Sequence, residues 1–295
     1  IYNVTVSSLM SNVLKSIDGV IIGRKSTQES DIPEFILDKN CPLPIVREFL
    51  GGMFGGDGHT CVLGMHRGKR DVLTSVSFSK TKNYKIRDSL VTLMNDIKLL
   101  LSRFNIDDVT IQNFKETSHS KKKRENITDK QFQLTIHINI DDLIKFSENI
   151  GFRYCCHKST RLEAAVSYRR LREEVKRQRL LIVKRVSEIT NYKEEKEKNP
   201  EKPIRTTKAI QQAVDEIKKI EPIVHEYAIP SQRDINDHIM NNTEFGKFRG
   251  KSFPTAEEYL QSIGALSWFI NEDCENTDAC YGVNKDMNSI PTMNL

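Results

Sequence analysis

Apolar side chains recur at helical spacing in two stretches of the chain. The first stretch follows Pro44 and ends in the glycine-rich run 55–58, and its spaced apolar residues are Ile45, Phe49, Leu50, Met53 and Phe54. The second stretch runs from Ile86 to Phe104, and the apolar residues on its one face are Leu90, Leu93, Ile97, Leu100 and Leu101. Intervals of three and four residues place side chains on one side of a helix. The pattern therefore predicts two amphipathic helices, and glycine ends the first.

Outside these helices the pattern changes to the alternation and short apolar runs that are typical of strands. The predicted strands are Thr60–Met65, Val72–Phe78, Asp108–Phe114 and Phe132–Ile140. Arg67-Gly68-Lys69 is a hairpin signal between the first two. With a short helix over Asp141–Ile150, residues 44–150 follow the order α-β-β-α-β-β-α. This order predicts an α+β fold in which helices cover one face of a four-stranded antiparallel sheet.

The pattern divides the whole chain into four parts. Residues 1–43 are interpreted as an N-terminal segment, the tail of a preceding half-domain, and residues 44–190 as the main domain, which ends in a basic helix over Thr160–Ile189. Residues 191–204 have the composition of a charged linker without an apolar anchor. Residues 205–295 are predicted to form a helical accessory region with an acidic tail. That region either binds nucleic acid or packs as a cap on the main domain.

Composition excludes several classes of protein. Apolar residues make up 38% of the 295 residues and charged residues 29%, which fits a globular chain rather than a disordered one. No apolar run approaches the roughly 20 residues of a membrane helix, and no secretory signal opens the chain. The six cysteines form no C-x-x-C pair. We therefore expect reduced thiols, an intracellular protein and no membrane partner.

The net charge of +5 is unevenly distributed along the chain. Seven basic residues and one acid lie between Arg67 and Arg87, and ten basic residues and three acids lie between Lys158 and Arg185. From Pro254 to the C-terminus, seven acids oppose one lysine. Segregated positive charge is typical of proteins that bind a phosphate backbone. One basic helix would equally fit a solvated surface, but two basic segments favour nucleic acid.

The uncovered face of the predicted sheet carries polar side chains. A β-ribbon fits the major groove of DNA, where Arg, Lys and Gln can read base edges. The pattern does not fix the strand register, so about half of the strand residues could face the helices instead. The residues predicted to contact DNA, together with Arg161 on the basic helix, are His66, Arg67, Lys69, Arg70, Ser75, Ser77, Lys80, Gln112, Lys115, Gln133, Thr135 and His137.

The segment Leu50-Gly51-Gly52-Met53-Phe54-Gly55-Gly56-Asp57-Gly58 resembles the LAGLIDADG motif of homing endonucleases. The resemblance implies the LAGLIDADG fold with a saddle-shaped sheet, in which two motif helices pack closely through small residues. Here those helix-packing residues are Gly51, Gly52, Gly55 and Gly56. It also implies that Asp57, the matching acid, is catalytic and binds Mg²⁺, which activates water beside the scissile phosphate. A helix end with a solvated aspartate is the alternative interpretation of the same nine residues.

Flanking segments extend the resemblance to the endonuclease region of an intein. Residues 32–50 are similar to the lead-in to the second motif helix, and Ile150–Tyr154 with Arg161–Ala165 to the end of the domain. The resemblance assigns Lys158 a catalytic role near the active-site water, and the alternative is a lysine that binds phosphate or solvent. Ser289–Leu295 is similar to the lead-in to the last splicing segment. The terminal His-Asn pair and the nucleophile at residue 1 are absent, so splicing is not predicted.

One good copy of the motif is present, whereas monomeric members of the family carry two. The resemblance therefore implies a homodimer paired through the motif helix, or a missing N-terminal half-domain. The predicted function is a site-specific endonuclease that makes a metal-dependent double-strand cut in double-stranded DNA. An RNA-binding intron maturase and a non-cleaving DNA-binding protein on the same fold are the alternatives.

Overall fold

The computed structural model describes residues 7–17, 28–29, 32–66, 69–117, 131–199, 204–235 and 253–270. The chain forms two compact units. The sheet unit comprises Ile1–Val166 with Leu260–Leu295, and the helical unit comprises Ser167–Tyr259. These limits differ from the domain limits predicted at residues 190 and 205, because the basic helix contributes to both units. No described helix is long and apolar enough to cross a membrane.

The sheet unit contains both helices and strands. Its first helices are α1 (Ser8–Lys15), α2 (Glu34–Leu37), α3 (Leu43–Asp57), α4 (Arg87–Ser102) and α5 (Leu143–Asn149). Its strands are β1 (Gly58–His59), β2 (Leu63–His66), β3 (Lys69–Leu73), β4 (Val76–Asn83), β5 (Val109–Thr117) and β6 (Gln131–Ile138). Helix α6 (Cys156–Thr190) begins in this unit.

Four strands form one antiparallel sheet in the order β1-β4-β6-β5. The first predicted hairpin does not lie within it. Among the described strands, β2 and β3 pair with each other in a separate two-stranded ribbon, and β4 pairs instead with the two-residue strand β1. The predicted strand Val72–Phe78 is therefore interrupted at Thr74 and Ser75, and its two halves belong to different sheets.

One face of the four-stranded sheet is apolar and lies against helices. Val76, Phe78, Ile136 and Ile138 are all buried on this face, and α3 and α4 contact β4. The ring of Phe54 on α3 lies 5.7 Å from that of Phe78, centroid to centroid. Burial of such side chains contributes roughly 1.5–3 kcal/mol each, so this face is the core of the sheet unit.

The helical unit contains the rest of α6, α7 (Tyr192–Lys198), α8 (Thr207–Lys218) and the beginning of α9 (Ala256–Ser262). A last short helix, α10 (Ser267–Ile270), belongs to the sheet unit. The segment predicted as a linker without an apolar anchor holds Tyr192, which is 1% exposed in the core of this unit. Tyr192 is thus an apolar anchor that the composition did not reveal, and the assignment of residues 191–204 as a linker stays a prediction.

Candidate functional site

Asp57 is the last residue of α3, and its carboxylate pairs with a lysine from the sheet. The Nζ atom of Lys80 on β4 donates a hydrogen bond to Oδ2 of Asp57 over 2.7 Å. The Asp57 side chain is 59% exposed and that of Lys80 is 20% exposed. Lys80 stands in the same strand phase as Val76 and Phe78. It therefore lies on the helix-covered face of the sheet and not on the face predicted to contact DNA.

Lys158 closes the C-terminal end of the same helix. Its Nζ donates to the carbonyl oxygens of Gly55 and Gly56, both over 2.8 Å. Burial lowers the pKa of Lys158, although nearby Cys155 and Asp57 act in the opposite direction. An ammonium group at a helix C-terminus satisfies free carbonyl groups and offsets the negative end of the helix dipole. This geometry supports a structural role, and the catalytic role predicted for Lys158 stays a prediction.

Two of the four glycines of α3 pack closely against another part of the same chain. A Cβ atom at Gly55 would overlap the carbonyl oxygen of Arg153, and one at Gly51 would overlap its side chain. The Arg153 N–H donates to the carbonyl oxygen of Gly51 over 3.0 Å. Gly52 and Gly56 have open space where a Cβ would lie. The close approach that Gly51 and Gly55 allow is therefore an intramolecular one.

The described residues do not assemble a cluster of metal ligands around Asp57. Nowhere in the described ranges do three His, Cys, Asp or Glu side chains converge in a way that could hold a metal ion. A divalent cation at Asp57 would also displace or face the Lys80 ammonium 2.7 Å away. A cation held by the same carboxylate would lie near this ammonium group, and like charges at short range repel. Mg²⁺ binding by Asp57 stays a prediction, and the Lys80 contact weighs against it.

The other face of the sheet brings several of the predicted polar residues into register. Ser77 is paired with His137, and Thr135 lies between Ser79 and Gln112. Thr135 is 3% exposed and shares a 2.7 Å hydrogen bond with Ser79. Burial lowers the pKa of His137, which reduces the positive charge that its imidazole can add to this face.

The remaining predicted residues fall into two groups. Gln133 is half-buried on the same face as Thr135, Ser75 lies between β3 and β4, and Arg161 has its guanidinium 6.0 Å from the ring of Phe269. The side chains of the others lie outside the described residues, and these are His66, Arg67, Lys69, Arg70 and Lys115. Their predicted contacts with nucleic acid stay predictions.

The basic helix α6 carries two kinds of basic residue, those in ion pairs and those outside them, and a count from the sequence does not distinguish the two. Three of its arginines are neutralised by acids in the ion pairs Arg169–Glu173, Arg177–Glu174, Arg177–Glu221, Arg185–Glu188 and Arg185–Glu216. Arg172, Lys176 and Lys184 are exposed on the same helix. The ion pairs found among the described residues do not include these three, which we call the exposed basic stripe.

The known proteins to which the chain is similar are named as tRNA-splicing ligases. The chain is 24% identical over 257 residues to the tRNA-splicing ligase RtcB of Methanopyrus kandleri, which is 86% of this chain and 22% of that protein. It is 25% identical over 253 residues to the protein of the same name from Methanocaldococcus jannaschii, 85% of this chain and 22% of that protein. A third match, over 55% of the chain, is the protein of that name from Pyrococcus furiosus.

The matched stretch is a small part of each relative. The chain spans about a fifth of the length of the M. kandleri and M. jannaschii proteins. No family model matches the chain, and no solved structure matches it. The saddle shape expected of the sheet therefore stays a prediction.

The names of the relatives contradict the assignment to LAGLIDADG homing endonucleases and intein endonuclease regions. All three are named tRNA-splicing ligases. The predictions that depended on the assignment are corrected with it: a metal-dependent DNA endonuclease, an intron maturase or a non-cleaving DNA-binding protein, with double-stranded DNA as partner. Pairing through the motif helix with a second copy or a missing half-domain also loses its basis. The motif resemblance was carried by glycines, and Gly51 and Gly55 are explained by the approach of Arg153.

Proposed function

We propose that this chain belongs to an RNA-processing protein of the tRNA-splicing ligase kind, and that its own contribution is to bind RNA. The proposal is based on the match to a protein of that name, which is 24% identical over 86% of this chain. Ligation is an activity of the whole relatives. This chain spans about a fifth of the length of two of these relatives. We therefore infer its own contribution from the residues on its surface.

The exposed basic stripe supports binding to a phosphate backbone. Arg172, Lys176 and Lys184 occupy about 18 Å of one helix, at 1.5 Å per residue, and all three are exposed. In contrast, Arg169 and Arg177 nearby are neutralised by Glu173 and Glu174. Within the described part of the chain, the ion pairs leave the charge of these three residues uncancelled. Such charge attracts nucleic acid without sequence preference and releases counterions on binding.

The first prediction concerns the salt dependence of RNA binding. We expect the full chain to bind a labelled RNA hairpin, with affinity that falls steeply between about 50 and 200 mM salt. The triple variant Arg172→Gln, Lys176→Gln, Lys184→Gln should reduce the slope of log affinity against log salt by about two to three, because each phosphate contact contributes about 0.7–0.9. Fluorescence anisotropy measures both quantities.

A charge-matched variant is the control for this experiment. Lys208→Gln, Lys218→Gln, Lys219→Gln removes three exposed positive charges from α8 and the residue that follows it in the same unit and should leave the slope nearly unchanged. Duplex DNA of the same sequence is measured in parallel. Equal losses in the two triple variants would contradict the assignment to α6, and tighter binding to duplex DNA than to RNA would contradict the proposal.

A further inference from the structure

A cluster of aromatic rings lies beside the exposed basic stripe in the helical unit. The ring of Tyr168 on α6 lies 5.5 Å from that of Phe253 and 5.2 Å from that of Tyr259, centroid to centroid. Tyr227 lies 5.8 Å from Phe253. Tyr168 is 6% exposed and is held by a hydrogen bond from its hydroxyl to the Pro254 carbonyl oxygen. The other three residues are partly exposed, so the cluster is buried at Tyr168 and reaches the surface at its other members.

Arg172 lies over two rings of this cluster. Its Cζ atom is 5.9 Å from the Phe253 ring and 6.0 Å from the Tyr168 ring. Both distances are within the range of cation–π contacts, which hold a guanidinium group in place without neutralising its charge. In contrast, Arg169 and Arg177 on the same helix are engaged by carboxylates. Arg172 is thus an oriented, flat cation on an aromatic support.

The geometry points to a subsite for one unpaired RNA base at Arg172 and Phe253. A guanidinium plane and a partly exposed ring both offer flat faces on which a base can stack, and this contact requires no particular base. Lys176 follows Arg172 by one helical turn, about 6 Å along the axis, where it can take an adjacent phosphate. This inference rests on the proposed RNA binding and specifies that the RNA is single-stranded at this point.

Stacking requires an unpaired nucleotide because bases within an RNA duplex are already stacked. Proteins that recognise RNA loops and ends place the splayed bases on aromatic side chains or on Arg planes. The subsite therefore selects loops or strand ends over continuous duplex. A duplex can still contact the exposed basic stripe through its phosphates, and that contact alone would leave the rings unoccupied.

The test uses a short single-stranded RNA with one 2-aminopurine, whose fluorescence is quenched when it stacks. Two variants of the full chain separate stacking from charge: Phe253→Leu removes a ring but keeps an apolar side chain, and Arg172→Lys keeps the charge but removes the plane. Each should lower affinity about tenfold, consistent with the stacking contribution of one base, weaken the quenching and leave the salt slope unchanged. The matched controls are Phe35→Leu, an exposed ring in the sheet unit, and Arg233→Lys, an exposed arginine in the helical unit.

Each outcome decides a separate question. Loss of quenching in both variants and its retention in both controls supports the subsite. RNA that binds by anisotropy without quenching in the wild-type chain overturns the subsite and leaves the proposed RNA binding intact. Absence of RNA binding overturns both. Because Phe253→Leu can disturb the packing around Tyr168, its folding is checked by circular dichroism, and Arg172→Lys provides the surface variant that leaves that packing alone.

Discussion

At the residue scale, Asp142 is a buried acid with every hydrogen bond it needs. Its Oδ2 accepts from the backbone N–H groups of Asp107 and Asp108, each over 2.8 Å, and Oδ1 pairs with Lys145 over 2.7 Å. Burial alone would raise the pKa of Asp142, but the hydrogen bonds from Lys145 and the two N–H groups lower it. The carboxylate thereby ties the loop before β5 to the start of α5.

The second prediction follows from this lowered pKa. Because the folded pKa lies below the unfolded one, the stabilisation is complete above the ordinary aspartate pKa of about 3.9 and is lost as the pH falls through the folded pKa. Asp142→Asn should cost about 1–3 kcal/mol of unfolding free energy at pH 7. The variant should also lose less unfolding free energy than the wild-type chain between pH 7 and about pH 3. Urea unfolding at both pH values measures these effects, and an unchanged pH dependence of stability in Asp142→Asn would contradict the prediction.

At the element scale, the four glycines of α3 divide into two pairs with opposite expected effects. Gly52→Ala adds a Cβ to open space, so the gain in helix propensity should raise the unfolding free energy by about 1 kcal/mol. Gly55→Ala places a Cβ on the Arg153 carbonyl oxygen and should lower it by about 1–3 kcal/mol. Urea unfolding compares the two variants directly. This third prediction is contradicted if both shift stability in the same direction.

The sequence pattern located the helices well and the sheet less well. The apolar spacing from Ile45 to Phe54 and from Leu90 to Leu101 corresponds to α3 and α4, because a helix is defined by neighbours along the chain. Strand partners are distant in sequence, so the pattern could not show that the chain between β1 and β4 leaves the sheet. Nor could the alternation of apolar and polar residues predict which face Lys80 occupies. Lys80 lies on the apolar face of β4, where its ammonium group pairs with Asp57.

The candidate site was predictable only in part for a similar reason. Asp57 and Lys158 stood out by residue type and do lie at the same helix end. Their partners, Lys80 and the two carbonyl groups, depend on tertiary packing that no local pattern encodes. The number of Lys and Arg residues in α6 likewise overstated its unpaired positive charge. Arg177 and Arg185 are paired with acids from distant segments as well as with local ones.

At the scale of the whole molecule, each compact unit has its own apolar core. In the helical unit Tyr192, Ile182, Val186 and Ile210 belong to one buried cluster. In the sheet unit the core lies between the sheet and its helices around Phe54 and Phe78. A unit with its own core can open locally without opening the other, so stability is distributed unevenly along the chain.

The fourth prediction tests this independence by hydrogen exchange. Tyr192→Ala removes a large buried ring and should lower the local stability of the helical unit by about 3–5 kcal/mol. Amide exchange should therefore accelerate in α8 and remain slow in β4. Ile136→Ala, in the sheet unit, is the reciprocal variant and should accelerate exchange in β4. Acceleration of both regions by either substitution would show one cooperative unit instead of two.

The ribbon formed by β2 and β3 has a consequence for how the chain can change during evolution. At its base the Thr74 N–H donates to the Val62 carbonyl oxygen, and the Val62 N–H donates to Oγ1 of Thr74, each over 2.9 Å. These two hydrogen bonds join the two ends of the ribbon before the chain enters β4. Residues inserted or deleted between the two strands therefore leave the register of the four-stranded sheet unchanged. We therefore expect homologous chains to differ in length between β2 and β3, where such a change leaves the strand order of the four-stranded sheet unaltered.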